Sequence, residues 1–168
     1  METIGQTIEP CYGAAPHLPH PAALKSAMHL LFHNDHWMVS RDGVRRLIVV
    51  RRTPRPYGSA SEVEGSFQAL ETFLIAQDRR ASALLIDTCA APLRNDPEFM
   101  SAAASHPRRF VALGFAQLAV LARTATGRTQ AQQLFRERGF EIPVLTDERE
   151  AMAFLTLPPS SRSPDKSS

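Results

Sequence analysis

Apolar and polar positions along the chain fall into short, continuously apolar runs separated by stretches with helical spacing. Residues 83–86 (ALLI), 118–122 (LAVLA) and 142–145 (IPVL) are too short for helices and lack polar alternation, the pattern of strands covered on both faces of a sheet. Between them, Val63, Phe67, Leu70 and Leu74 recur at helical steps within residues 59–80, and Ser59-x-x-Glu62 or Ser61-x-x-Glu64 supplies a capping box at the start. Asp96-Pro97-Glu98 predicts a second helix, with Asp as N-cap, Pro in the first turn and Glu near the positive end of the helix dipole. Residues 129–138 predict a third, stopped by Gly139. A fourth opens at Thr146-Asp147, buries Ala151, Phe154 and Leu155, and ends at Pro158-Pro159.

The first half of the pattern is different. Residues 36–41 (HWMVSR) and 44–52 (VRRLIVVRR) are β-type runs around Asp42-Gly43, a dipeptide that favours a hairpin turn. The paired arginines on either side of LIVV read as gatekeeper charges that keep an apolar strand from aggregating. Residues 24–32 (LKSAMHLLF) place Leu24, Met28 and Leu31 on one helical face, predicting a short helix that needs a surface to dock on. The element order is then β-β-α-β-α-β-α-β-α. It defines an α/β fold: a mixed, mostly parallel sheet of about five strands with four helices and right-handed crossovers. The expected domain is 34–157. Residues 1–33, with Pro10, Pro16, Pro19 and Pro21, and residues 158–168 are expected as disordered tails, and Met28 is a candidate alternative start.

Composition narrows the function classes. With 168 residues, 43% of them hydrophobic, the chain suffices for one domain with a core. A formal charge of +2 is too small for a surface that tracks nucleic-acid phosphates. Cys11 and Cys89 lie far apart without CxxC spacing, which indicates neither a disulfide framework nor a zinc knuckle and fits reducing cytoplasm. No run approaches the ~20 apolar residues of a membrane span, and no secretory signal pattern opens the chain.

Three segments carry candidate chemistry. The loop 87–94 follows the carboxyl end of a central strand, where open α/β sheets place their ligands. Within it Cys89 and Arg94 resemble the nucleophile and oxyanion-holding arginine of a thiol-dependent phosphatase loop. The spacing is one residue short, however, and Pro92 stands where a glycine-rich amide cradle is needed, so an inert, buried cysteine is the simpler reading. Thr124-Ala125-Thr126-Gly127-Arg128-Thr129 offers hydroxyls and a glycine at a helix start, either an anion site or a plain capped helix with an exposed arginine; no Walker lysine follows Gly127. His29, His33 and His36 have the spacing of a metal-binding helical face, but Asn34-Asp35 interrupts the helix, and no metal or cofactor is expected.

The element order, together with ALLID, RNDPEF and the ending VLTDEREAMAFL, resembles the STAS superfamily, in particular its single-domain SpoIIAA-like proteins, over residues 34–157. The resemblance implies a non-catalytic regulatory module that binds another protein through the surface around the helix start after the third strand. Signalling members carry a phosphorylated Ser there. This chain has Arg94-Asn95-Asp96-Pro97-Glu98, without a Ser or Thr, so the resemblance implies a member lacking the phosphoswitch, with Asp96 as a permanent negative charge. Asp87, Arg94, Asn95, Asp96 and Arg128 are the expected partner-binding residues. The wider superfamily includes lipid-binding members, and an apolar-ligand carrier, which requires a sizeable apolar cavity, stands as an alternative alongside the Cys89/Arg94 enzyme.

Overall fold

Among the described residues, 28–94 and 96–157, the computed structural model contains one mixed sheet of six strands. The strands are β1 (Met28–His33), β2 (Trp37–Asp42), β3 (Leu47–Arg52), β4 (Ala83–Asp87), β5 (Gln117–Leu121) and β6 (Val144–Leu145), and their spatial order is their chain order. The first three pair antiparallel and the last four, from β3 on, parallel. The three apolar runs therefore lie side by side as β4, β5 and β6, and all five residues of β4 are buried.

Helix α1 (Ala60–Ile75) connects β3 to β4, α2 (Pro97–Ala103) and α3 (His106–Ala112) connect β4 to β5, α4 (Ala125–Arg136) connects β5 to β6, and α5 (Glu148–Thr156) follows β6. Right-handed crossovers that all advance the same way along the sheet must all lie on one face of it. Leu70 and Leu74 of α1, Phe110 of α3 and Phe135 of α4 accordingly share one core cluster with Val39, Ile48, Val50, Leu84, Ile86 and Val120 of the sheet. On the other face, α5 alone among the described helices packs Ala151 and Leu155 against Leu47, Val49, Leu85, Ala119 and Leu121.

Helix starts follow their caps. Ser59 accepts from Glu62 N–H, Asp96 from Phe99 N–H, Thr124 from Gly127 N–H and Asp147 from Glu150 N–H. The box at α1 is skewed by one residue, because Glu62 reaches back to the N–H of Gly58. The helical stretch expected after Asp96 is broken in two at Ser105, with Pro107 at the start of α3.

Five expectations are corrected. Residues 28–32 are not helix but belong to β1, which extends the sheet to six strands; residues 24–27 lie outside the described residues. Among the described residues β1 pairs on one side only and is largely exposed, so it lacks the alternation that marks a strand. The hairpin is not closed by a two-residue Asp-Gly turn: Asp42 pairs with Leu47 across a four-residue loop, 43–46, and its buried carboxylate accepts from the N–H groups of Val44 and Arg45. α4 begins at Ala125, putting Gly127 inside its first turn, and β6 shrinks to two residues. Finally, a bulge in β1 places His29 opposite Arg41 and His33 opposite Met38, on different faces of the sheet, so the helical histidine face does not exist.

In the 43–46 loop, Arg46 adopts φ +50° while its carbonyl accepts from Ala83 N–H at 2.9 Å, tying the turn to the start of β4. A left-handed conformation costs a residue with a Cβ more than it costs glycine. Arg46→Gly is expected to stabilise the protein by about 0.5–1 kcal/mol, seen as a higher urea midpoint at unchanged slope.

Candidate ligand pocket

Between the sheet and the helices of its crowded face lies a pocket of about 170 Å³, near the carboxyl ends of β3, β4 and β5. Its floor is Trp37, Ile86 and Val120; Phe67 of α1 and Phe110 of α3 form one wall, and Leu134 and Phe135 of α4 another. Phe99 of α2 and the loop residues Tyr57 and Pro92 stand at the remaining side. Small residues hold the space open: Ala91, Ala103 and Ala131 present only a methyl group toward it.

The aromatic walls interlock. Trp37 and Phe67 meet edge to face at 5.1 Å, and Phe67 stacks on the His106 ring at 4.0 Å. Trp37 Nε1 donates to Ser66 Oγ (3.3 Å), which is also hydrogen-bonded to the Tyr57 hydroxyl (2.9 Å), fixing both rings through one residue of α1. Burial pushes the Tyr57 phenol above its ordinary range, keeping it neutral.

Two arginines line the pocket and differ in their partners. Arg94 donates from Nε to Asp96 Oδ2 (2.7 Å) and from Nη1 to the Tyr57 carbonyl (2.8 Å), with its guanidinium over Phe99. It thereby ties the loop before α2 to the loop before α1 across the pocket mouth. The pairing raises the Arg94 pKa and, with Phe99 N–H, lowers that of Asp96. Arg52 is only 4% exposed, so it is no gatekeeper; its guanidinium lies 4.2 Å from the Tyr57 ring centroid and 5.5 Å from that of Trp37. Desolvation by burial lowers its pKa.

Charged groups around the pocket are otherwise tied off. His106, 1% exposed, has Nδ1 at 3.1 Å from Glu71 and Nε2 at 3.2 Å from Glu64, and Arg109 bridges the same two carboxylates. The Nε2 contact is close without the geometry of a hydrogen bond. His36 Nε2 lies 2.8 Å from Glu62 Oε1, and the Gly58 N–H and His36 together lower the Glu62 pKa.

The residues expected at a partner surface share one end of the sheet but not one face. Arg94 and Asp96 are joined at the pocket mouth, and Arg128 is exposed in the first turn of α4. Asp87 is 6% exposed and occupied by Arg51 Nε (2.8 Å) and Cys89 N–H (2.9 Å). Asn95 lies outside the described residues. The structure does not bring Cys89 and Arg94 together: Cys89 packs with the cluster under α5, whereas Arg94 lines the pocket of the opposite face. The pocket itself was missed in the sequence, although Trp37, Tyr57 and Phe99 precede or open elements that form it and Phe67 stands on the predicted core face of α1.

No family model matches the chain, and no curated protein matches it. Among the described residues, no helix is long and apolar enough to cross a membrane, and no cluster of metal-ligating side chains occurs.

Burial, followed by the neighbouring Asp87 carboxylate, pushes the Cys89 thiol up to about 11. A thiol raised from 9.0 to about 11 carries roughly a hundredfold less thiolate at neutral pH. Iodoacetamide at pH 7.5, followed by peptide mapping, is expected to leave Cys89 almost unmodified in the folded protein and to label it readily in urea. Fast labelling of the folded form would contradict this environment.

Proposed function

We propose that this chain is a non-catalytic binding module that encloses a small, largely apolar ligand between its sheet and the helices α1 to α4. The observation that carries the reading is the aromatic and aliphatic pocket of about 170 Å³. A closed apolar cavity of roughly 150 Å³ is enough for a benzene ring, and lining of this kind with a few polar groups is typical of ligand sites. The site stands at the carboxyl ends of parallel strands, where α/β sheets bind ligands.

Two features weigh against the thiol-enzyme alternative. Cys89 is held protonated by its surroundings, and it is packed away from Arg94. The resemblance to SpoIIAA-like STAS proteins fits a module without chemistry of its own, and the lipid-binding branch of that superfamily is the nearer analogy. A protein-binding role retains one supporting feature: Leu93, 60% exposed, sits on the loop that Arg94 fastens across the pocket mouth. Occupancy of the pocket and the shape of that loop are then coupled, so the partner surface reads the ligand.

Trp37 is the sole tryptophan of the chain and lines the pocket, so its fluorescence reports on the site without a label. Benzyl alcohol is expected to change Trp37 emission in a saturable way and to raise the melting temperature. Ala131→Phe, which fills the space from α4, is expected to abolish the response while the protein stays folded by circular dichroism. A response unaltered in Ala131→Phe would place the ligand elsewhere.

A further inference from the structure

Of the two arginines that line the pocket, Arg94 is ion-paired with Asp96 and Arg52 is not. Arg52 Nη1 donates to the carbonyls of His36 (3.0 Å) and Thr53 (2.9 Å) and to Thr53 Oγ1 (3.2 Å), and its Nη2 donates to the carbonyl of Arg55 (2.7 Å). Every one of these acceptors is neutral. Among the described residues no carboxylate lies within the 4.0 Å of an ion pair, and Glu62, whose charge Arg52 still feels, is already bonded to His36 and Gly58.

A guanidinium stays charged in proteins and carries five N–H donors, so carbonyl bonds orient it without cancelling its charge. Burying such a charge beside an apolar space is costly unless an anion comes to meet it. Resting on the pocket as the ligand site, we propose that its ligand is a small monocarboxylate, an aromatic ring or short alkyl chain carrying one carboxylate that Arg52 receives as counter-charge.

Three features select this chemistry. One guanidinium without a carboxylate partner matches one negative charge, whereas a phosphate dianion would bring a second. The planar fork of guanidinium suits the two oxygens of a carboxylate. The space of about 170 Å³ among Trp37, Phe67, Phe110 and Phe135 suits a ring-sized hydrocarbon body.

The test pairs isosteric probes that differ in charge: phenylacetate against phenylacetamide, and hexanoate against hexanamide, titrated at pH 7.5 with Trp37 emission as readout. Hydrogen bonds to charged groups predict that the wild type binds each acid about tenfold or more tightly than its amide. Arg52→Gln is expected to bring the two members of each pair to equal affinity, and Arg52→Lys to retain part of the preference. The wild-type comparison needs no variant, so it decides even if Arg52→Gln melts. Equal affinity of acid and amide for the wild type overturns the carboxylate inference and leaves the apolar pocket standing. Failure of all four probes and of benzyl alcohol to perturb Trp37 overturns both readings. An acid preference that survives intact in folded Arg52→Gln removes Arg52 from the role.

Discussion

The handedness of strand crossovers governs this molecule. From β3 to β6 the strands advance in one direction, and a right-handed connection between parallel neighbours then always rises on the same side. Four of the five helices among the described residues are therefore crowded over one face. A long helix between β4 and β5 would have to pass directly over the sheet between α1 and α4. Pro107 and the break at Ser105 make it two seven-residue pieces instead, with α2 leaning on α1 rather than on the strands. The pocket is the space that this crowding leaves where the facing residues are alanines.

Polarity at the site follows from the same geometry. The loops after β3 and β4 leave the sheet side by side, because Arg51 and Asp87 are register partners at the ends of those strands. Arg94 bridges the two loops and is neutralised in doing so, while Arg52, one residue beyond Arg51, points to the opposite side and enters the aromatic wall. The alternation of a strand thus sends one arginine to a buried carboxylate under α5 and its neighbour to the pocket. A pair that looks like surface charge in the sequence has two separate structural duties.

Much of the fold was legible. Continuous apolar runs marked β4 and β5, because both faces of these strands are covered; Asp96 caps the helix it was expected to cap, and of the openings left between two residues Ser59 caps α1 and Asp147 caps α5. β1 was read as helix since an edge strand with exposed side chains shows no period of two, while Met28 and Leu31 happen to match a helical step. The pocket was illegible for a different reason. A cavity is a relation between residues distant in sequence, and neither Ala131 nor Ala103 signals what it fails to fill. The loop 87–94 was found from its place after a central strand, but the charges expected to act together there are divided between two faces by strand pleating, which spacing alone does not reveal.

The solitary position of α5 bears on how the chain is made. Leu47, Val49, Leu85, Ala119 and Leu121 wait for Ala151 and Leu155, and Gln117 fastens the end of that helix by donating to the Leu157 carbonyl at 2.6 Å. During synthesis from the N-terminus, α5 is made after every strand it covers, so among the described residues this greasy half of the sheet has no cover until α5 has left the ribosome. The nascent protein is thus adhesive until α5 docks, and dependent in that interval on whatever shields it.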